Sequence, residues 1–271
     1  MDSFSEHGAL TARLRSAGCV FAEEEAALLA EAGSAGADLE ALVRRRIAGE
    51  PLEHVLGWVD FDGARLHVGP GAFVPRQRTR LLARLASALV RAQPEGAVRL
   101  LEVCCGVAPV AATIARDHPG CDVLAVDIDP RATAYAALNL GSHRVRTGDL
   151  FEPVPREWRG RVDVCVANAP YVPSGEVVLM PAEARDHEPL HTLAGGADGL
   201  DLHRRIAAEV SRWLAPGGVV LVEVSTAQAA HAQEVFAAAG LGVRTERDED
   251  LDATVVVATW PGVRTPPRLG P

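Results

Sequence analysis

The 271-residue sequence predicts an α/β protein, with a mostly parallel sheet whose last strand is antiparallel and a small helical domain in front of it. From Val98 onward, apolar β-branched runs alternate with segments of helical periodicity, which is typical of βαβ units. The last two strand-like runs, "LGVRTERDED" and "DATVVVATW", are joined by a short turn and should pair antiparallel. Before Val98, apolar residues recur at helical spacing on a background rich in Ala and Glu.

Composition indicates an ordinary globular chain and argues against several kinds of partner. Hydrophobic residues make up 48% of the chain and charged residues 23%. The net charge of -9 argues against extended binding to nucleic acid, which requires a cationic surface. The N-terminal "MDSFSEHGAL" is unlike a signal peptide, and no apolar run approaches the roughly 20 residues of a membrane span. The five cysteines lack CxxC spacing, so we expect free thiols and no metal site, in a cytoplasmic protein without a membrane partner.

The first part of the chain should be helical. Residues 9–32 carry apolar positions at helical spacing and predict two helices that are broken near Gly18. The stretch "ADLEALVRRRIAGEP" predicts another helix, which Gly49 and Pro51 end.

A hairpin is expected to join this helical part to the sheet. Asp62-Gly63 lies between short β-like runs in "VDFDGARLHV", a sequence that favours a tight hairpin turn. The loop "GPGAFVPRQRT" then leads to a helix over 79–92. We place the junction between Gly69 and Pro75, so the predicted parts are a helical domain with a hairpin linker over 1–72, a second domain over 73–262 and a flexible tail over 263–271.

The second domain should contain strands and helices in alternation. The strand-like runs are "VRLLEV", "DVLAVDI", "HRVRTG", "VDVCVA" and "GGVVLVEV", with helices expected between them at 109–118, 130–140, 199–214 and 226–239. Open α/β sheets bind ligands at the carboxyl ends of their strands. We therefore expect functional side chains at those ends.

The first three strand ends predict a nucleoside site. In "LLEVCCGVAPVAATIA" a strand, a turn at Gly106 and a helix N-terminus can approach a nucleotide-like ligand, although a plain turn is the alternative. Asp127 closes the next strand about 20 residues later, where a carboxylate can accept both hydroxyls of a ribose. Asp129 is expected to cap the following helix. Asp149 can accept from an adenine amine while Leu150 covers the ring, and the alternative for Asp149 is an ordinary loop acid.

Several segments between about residues 50 and 260 resemble, in order, the HemK/PrmC-type protein N(5)-glutamine methyltransferases, which modify peptide-chain release factors. These segments are "LEHVLGW", "GAFVPRQRT", "VDIDPRA", "GDLFEPVP", "NAPY" in place of the family's NPPY, "LMPAEARDHEPLHTLAGGADGLDL" and "LAPGGVVLVEV". The resemblance implies a Rossmann-like, seven-stranded methyltransferase sheet over 73–262, the cofactor S-adenosyl-L-methionine with S-adenosyl-L-homocysteine as product, and a release factor as partner. It also implies that the helical part over 1–72 binds the substrate.

The NAPY stretch explains how such a chain can methylate a planar nitrogen. The side-chain oxygen of Asn168 and the main-chain oxygen of Ala169 can each accept one N–H, which orients the nitrogen lone pair and favours its developing positive charge. Pro170 stiffens the turn and Tyr171 closes one side of the slot. An Asn in a turn is also ordinary turn chemistry, which is the structural alternative.

The resemblance assigns candidate roles to further residues. The catalytic group comprises Asn168, Ala169, Pro170 and Tyr171. Cofactor-binding candidates are Glu102, Cys104, Cys105, Gly106, Ala108, Asp127, Ile128, Asp149, Leu150 and Asn168. Substrate-binding candidates are Asn168, Tyr171, Pro75, Arg76 and Glu188, the last in an "EARDHE" loop that should line the substrate entrance rather than hold a metal.

Departures from the family pattern lead to two alternatives. Ala169 replaces the first Pro of the signature, Glu102 replaces an Asp and Arg80 replaces a Glu. Ala108 stands where the loop usually has Gly, and we expect its methyl group to lie near the methionine part of the cofactor. The first alternative is an N-methyltransferase for a small amide, amino acid or guanidine, and the second is a noncatalytic relative that binds S-adenosylmethionine or a protein.

Overall fold

The computed structural model describes residues 3–93 and 98–262. A helical unit comes first and is followed by a hairpin and a sheet with helices on both faces. Within the described ranges, no helix is long and apolar enough to cross a membrane. The tail predicted over 263–271 lies outside these ranges.

The helical unit packs around its own small core. Its helices are α1 (Ser3–Ser16), α2 (Ala22–Ser34), α3 (Leu39–Ile47) and α4 (Leu52–Leu56). Gly18, at φ +92°, lies in the turn between α1 and α2, so the predicted break is confirmed. Asp38 caps α3 by accepting the Ala41 N–H at 3.1 Å. Fully buried Leu14, Leu29 and Val43 pack together between the helices.

A buried ion pair connects the helices of this unit. The Arg46 guanidinium on α3 donates to both carboxylate oxygens of Glu25 on α2, at 2.6 and 3.0 Å. Both side chains are 9% exposed. The same guanidinium lies 3.4 Å from the carboxylate of Glu183, which belongs to the later domain. Arg46 therefore joins the helical unit to a distant segment of the chain.

The predicted hairpin is present, and it packs on the sheet domain. Strands β1 (Trp58–Phe61) and β2 (Ala64–His67) pair antiparallel. Positive φ at Asp62 and Gly63 matches the right-handed twist that a tight two-residue hairpin loop requires. Phe61 is fully buried in a cluster that contains side chains of the sheet and of its covering helices. The domain boundary at residue 72 stays a prediction, because the hairpin shares its core with the following domain.

The elements of the following domain are α5 (Arg80–Ala92), β3 (Arg99–Val103), α6 (Pro109–Asp117), β4 (Asp122–Asp127), α7 (Pro130–Leu140), β5 (Val145–Thr147), β6 (Val162–Ala167), α8 (Ala182–His187), α9 (Asp201–Val210), β7 (Leu214–Val224), α10 (Ala229–Ala238), β8 (Gly242–Asp248) and β9 (Ala253–Thr259). Among the described residues, its sheet has seven strands in the order β5-β4-β3-β6-β7-β9-β8. The last strand, β9, runs antiparallel to both of its neighbours, β7 and β8, as predicted, and the other neighbouring strands are parallel. The predicted loop after the NAPY stretch contains the short helix α8.

The parallel strands end at one edge because their registers are aligned. Val103 of β3 lies opposite Ala167 of β6, and Ala167 lies opposite Val222 of β7. On the other side, Asp127 of β4 lies opposite Thr147 of β5. The central strands are buried on both faces, which explains their continuous apolar sequence. The turns that follow these strands therefore meet along one edge.

Arg46→Met should destabilise the protein by about 3–5 kcal/mol, because it leaves the Glu25 carboxylate buried without its partner. The double variant Glu25→Leu, Arg46→Met should recover most of this loss, since it buries no charge. Urea unfolding measures both. Arg13→Met, which removes an exposed partner of Glu40, is the control and should change stability little. A double variant no more stable than Arg46→Met would contradict this account.

Candidate active site

The carboxyl ends of the parallel strands border a cavity of about 660 Å³. This volume lies within the usual range for small-molecule sites, about 300–1,000 Å³. Of the candidate site residues, the following line it: Pro75, Arg76, Glu102, Cys104, Cys105, Gly106, Asp127, Ile128, Asp149, Leu150, Asn168, Ala169, Pro170, Tyr171 and Glu188. The structure thus brings together residues from four strand ends, while their individual roles stay predictions.

Glu102 supports the turn at the end of β3. Its Oε2 accepts the Ala111 N–H at 2.6 Å and its Oε1 accepts the Val110 N–H at 3.4 Å, both in the first turn of α6. Burial raises the pKa of Glu102 to about 8, although the two N–H groups act in the opposite direction. The side chain therefore fixes the start of α6 at the cavity wall.

Asp127 connects the ends of β3 and β4. Its Oδ2 accepts the Gly106 N–H at 2.7 Å and its Oδ1 accepts the Asp129 N–H at 2.9 Å. Burial raises the pKa of Asp127. Each oxygen makes one of these bonds, and a carboxylate has about four acceptor sites, so the remaining lone pairs can accept hydroxyl groups. Asp129 caps α7 by accepting the Arg131 N–H, as predicted.

Gly106 leaves open space at the turn. It adopts φ +55°, and a Cβ built on it would meet no other atom within 4 Å. Cys104 before it and Ala108 after it also have positive φ, at 53° and 60°. The left-handed conformation is costly at Cys104 and Ala108, which are not glycines, and it occurs at such residues mainly where a surrounding structure holds them, often at functional sites.

The structure places Ala108 away from the cavity. Ala108 does not line the cavity, and its fully buried methyl group packs in the core beside Val107 and Val110. The residue is the N-cap of α6, with φ 60° and ψ 50°, a backbone conformation that leaves the Cβ in the core. Compared with a glycine at this position, Ala108 therefore adds backbone strain, and it does not reduce the space left for a cofactor.

The third strand end combines polar and apolar groups. The Asp149 Oδ2 accepts from the Arg205 guanidinium of α9 at 2.7 Å, so this predicted adenine contact already has a cationic partner. Leu150 is buried with φ +47°, and Ile128 is 59% exposed at the end of β4. Their apolar surfaces line the cavity and can cover a planar ring.

The NAPY turn is held by two residues that sequence reasoning missed. The Asn168 side-chain N–H donates to the Thr79 hydroxyl at 3.1 Å, which leaves the Asn168 Oδ1 free to accept. The Tyr171 hydroxyl donates to the Glu223 Oε1 at 3.3 Å. Burial raises the pKa of Tyr171 to about 12, although Arg78 beside it acts in the opposite direction. The sequence could have indicated Glu223, because it lies near the carboxyl end of the predicted strand "GGVVLVEV".

The segment after NAPY is attached to the cavity wall by ion pairs. Glu188 is buried and accepts the Val74 N–H at 3.1 Å, while its two oxygens accept from the Arg76 guanidinium at 2.8 and 2.7 Å. Burial raises the pKa of Glu188 and Arg76 opposes this effect. The predicted substrate-binding pair is therefore neutralised internally, and Glu183 is held by Arg46. In the part of the chain that the structure describes, no three His, Cys, Asp or Glu side chains form a metal-binding group.

The sequence and the fold of this chain are similar to those of known proteins. Residues 78–184 match the methyltransferase small domain family. The release factor glutamine methyltransferase of Streptomyces coelicolor is 38% identical over 197 residues, covering 72% of this chain and 70% of that protein. The 4-amino-L-phenylalanine/4-methylamino-L-phenylalanine methyltransferase of Streptomyces pristinaespiralis is 36% identical over 204 residues, covering 73% and 69%. A methyltransferase structure from Pyrococcus furiosus is similar in fold, with a TM-score of 0.52 and 18% identity over 83% of this chain and 98% of that one.

Gly106→Ala should weaken the binding of S-adenosylmethionine by about tenfold, because a methyl group would enter the open space at the turn and strain the backbone. Ala108→Gly should change that affinity by less than about twofold, since its methyl lies in the core. Isothermal titration calorimetry measures both. An Ala108→Gly variant that binds S-adenosylmethionine much more tightly would show that the Ala108 methyl group does limit cofactor binding.

The protein should lose stability as the pH rises from about 5 to 8. The folded pKa of Glu102, about 8, lies above its ordinary value of 4.5, so the folded state keeps a proton that the unfolded chain has released. This contribution is complete below pH 4.5 and is lost as the pH approaches 8. Urea unfolding at several pH values should give Glu102→Gln a shallower slope than the parent, by at most about 1.4 kcal/mol per pH unit. If the free energies of unfolding of the parent and of Glu102→Gln changed in parallel with pH, Glu102 would be ionised over this whole pH range and the prediction would be wrong.

Proposed function

The chain belongs to the family of release factor glutamine methyltransferases and depends on S-adenosylmethionine, and we propose that its acceptor is the side-chain amide of the GGQ glutamine of a peptide-chain release factor. The observation that carries this proposal is the hydrogen bonding of the Asn168 side chain. Its N–H is engaged by Thr79, so its oxygen remains as an acceptor at the cavity.

The cavity fits an adenosine group at the ends of β3, β4 and β5. We assign the ribose hydroxyls to the free lone pairs of Asp127, and the adenine ring to the space between Ile128 and Leu150 with Asp149 at its edge. The open space at Gly106 suits the methionine portion. S-adenosylmethionine supplies an electrophilic methyl group on a sulfonium ion.

Asn168 and Ala169 would orient the acceptor amide. The Asn168 Oδ1 and the Ala169 carbonyl oxygen each accept one N–H of the glutamine side chain. These two hydrogen bonds hold the amide plane so that the nitrogen lone pair, which is perpendicular to the plane, faces the methyl group. An amide nitrogen is a weak nucleophile because its lone pair is delocalised, so this alignment matters more than it would for an amine. As the nitrogen becomes positive, both oxygens stabilise the charge, and the proton then leaves to water. Ala169 keeps the required carbonyl although it replaces a Pro.

The surface beside the cavity supports a protein acceptor. Val178 and Leu179, on the segment after NAPY, are 66% and 79% exposed, and Leu190 is 64% exposed. Met180 and Pro181 of the same segment line the cavity. Exposed apolar side chains grouped next to a cavity often mark a protein-binding surface. Residues 1–72 contribute Pro51 to the cavity wall, and we propose that this part of the chain binds the release factor.

A free amino acid is a second candidate acceptor. One relative, 36% identical, is named for an aromatic amino acid with an amine on its ring. Of the arginines that line the cavity, Arg76 is paired with Glu188 and Arg205 with Asp149. Among the described residues, no carboxylate lies within 4.0 Å of the Arg78 guanidinium. The carboxylate of a free amino acid could pair with Arg78 while its planar nitrogen occupies the slot at Asn168.

Mass spectrometry can separate the two acceptors. The protein is incubated with isotopically labelled S-adenosylmethionine and either a release factor or a panel of free amino acids. Labelled methyl on the release factor, absent when its GGQ glutamine is changed, supports the proposal. Methylation confined to a free amino acid would overturn the proposal and favour the second candidate.

Asn168→Ala should lower kcat by about 100-fold or more, because it removes one of two acceptors that orient the nitrogen. Affinity for S-adenosylmethionine should change by less than about twofold, since Asp127 and Gly106 are untouched. Methyl-transfer kinetics, calorimetry and a thermal unfolding curve measure these effects. A variant that keeps its turnover would contradict the acceptor-pair mechanism.

A further inference from the structure

The segment "AGGADG" over 194–199, here called the Gly-rich loop, packs against the NAPY turn. Val172, which directly follows the turn, donates its N–H to the Leu193 carbonyl at 3.1 Å. The Val172 carbonyl accepts the Gly195 N–H at 2.8 Å, so the two segments pair as a short parallel bridge. The exit of the turn is therefore bonded to the start of the Gly-rich loop.

Two buried glycines of the Gly-rich loop lie against carbonyl groups of the turn. A Cβ built on Gly195 would lie 2.5 Å from the Pro170 carbonyl oxygen. A Cβ built on Gly199 would overlap the Tyr171 carbonyl oxygen. Any side chain larger than hydrogen would push these carbonyl groups away, so glycine is required at both positions. The loop thus restrains the main chain of the turn by direct contact.

The side chain of Gln228, which directly precedes α10, bonds the loop and the turn together. Its Nε2 donates to the Tyr171 carbonyl at 2.8 Å and to the Asp198 carbonyl at 2.9 Å. Its Oε1 accepts the Ser225 hydroxyl at 2.8 Å and the Ser225 N–H at 3.3 Å. Each end of the amide meets groups of the opposite hydrogen-bonding character, so the orientation of this side chain is fixed.

Pro170 transmits this restraint to the Ala169 carbonyl. The proline ring fixes φ at about −65°, so only the rotation ψ of Pro170 separates the peptide group before it from the one after it. The Ala169 carbonyl belongs to the first of these groups, and the Pro170 carbonyl, which faces Gly195, belongs to the second. Because Ala169 has no ring to fix its own φ, the direction of its carbonyl depends on what holds the rest of the turn.

We propose that Gln228 is a positioning residue, which holds the Tyr171 carbonyl against the Gly-rich loop and so keeps the Ala169 carbonyl oxygen facing the acceptor nitrogen. This inference rests on the proposed function, in which that oxygen accepts one N–H of the methyl acceptor. Gln228 does not line the cavity, so it acts on the reaction through the turn and does not touch the substrate.

Gly199→Ala tests the contact, and Gly196→Ala is its matched control. Both glycines have positive φ, at +81° and +94°, so alanine strains the backbone at either position. The methyl of Gly199→Ala overlaps the Tyr171 carbonyl, whereas that of Gly196→Ala meets the carboxylate of Asp201, a 63% exposed side chain that can turn into solvent. Gly199→Ala should lower kcat by about 100-fold, the cost of a misplacement of about 1 Å, and Gly196→Ala by less than about twofold.

Gln228→Glu tests the hydrogen bonds. It keeps the shape of the side chain but places a carboxylate opposite the Tyr171 and Asp198 carbonyl oxygens, so acceptors face acceptors and the turn moves. The expected fall in kcat is again about 100-fold. Gln233→Glu makes the same change within α10, where the side chain donates to Thr245, and should change kcat by less than about twofold.

Calorimetry and thermal unfolding separate positioning from a general loss of structure. S-adenosylmethionine affinity should change by less than about twofold in all four variants, since Asp127 and Gly106 are untouched. Gly199→Ala and Gly196→Ala should lower the Tm by similar amounts, because both strain a left-handed position. Equal losses of kcat in these two variants would overturn the proposal.

A second readout does not depend on the acceptor. Alanine labelled with carbon-13 at the carbonyl, combined with nitrogen-15 proline, selects the three Ala-Pro pairs of the chain in an NMR spectrum. The Ala169 carbonyl signal should move in Gly199→Ala and Gln228→Glu and stay in place in the two controls. A signal that stays in place in the first two variants would overturn the inference. If the parent methylates no release factor, the proposed acceptor fails, and the NMR result still decides the role of Gln228.

Discussion

The Asp127 carboxylate accepts the N–H groups of Gly106 and Asp129, and the geometry of the site depends on this pair of hydrogen bonds. They join the turn after β3 to the end of β4. The turn after β3 is strained, with left-handed residues at Cys104, Gly106 and Ala108. Such a turn persists only when neighbouring groups hold it, and Asp127 does so from one side while Glu102 bonds the first turn of α6 from the other. Both carboxylates are therefore structural as well as candidate ligand groups.

Most charges around the cavity are paired within the protein. Arg76 neutralises Glu188, Arg205 contacts Asp149, and Arg46 is shared between Glu25 and Glu183. These pairs attach the segment after NAPY to the rest of the chain and leave few free charges to attract or repel an acceptor. An uncharged amide can enter such a site without displacing a counterion. Recognition then depends on hydrogen-bond acceptors, which is the chemistry that the NAPY turn offers.

A side-chain amide is nearly symmetric in shape, but its two ends have opposite hydrogen-bonding character. For Asn168 the choice of end decides whether the slot accepts or donates, and in this structure the NH2 end donates to Thr79, which leaves the oxygen as the acceptor. Methylation at a weak nucleophile relies on alignment, so the orientation of this amide bears on the reaction. Thr79 directly precedes α5 and Glu223 lies near the end of β7, so both are far from the NAPY stretch in sequence. Their hydrogen bonds to Asn168 and Tyr171 attach both elements to the same turn.

The sequence by itself determined the helices, the strands and the edge at which function would lie. Apolar periodicity and turn residues such as Asp62-Gly63 are local, and carboxyl ends of parallel strands meet by geometry, so Asp127 and Asn168 were found at the cavity. Only the tertiary structure decided that the Ala108 methyl enters the core, that Arg76 and Glu188 bind each other, and that Thr79 and Glu223 support the turn. The last two arrangements join residues 112, 89 and 52 positions apart, in the bonds Arg76–Glu188, Asn168–Thr79 and Tyr171–Glu223. Such contacts depend on which helices and strands pack against each other in the folded chain, and local sequence patterns do not predict them.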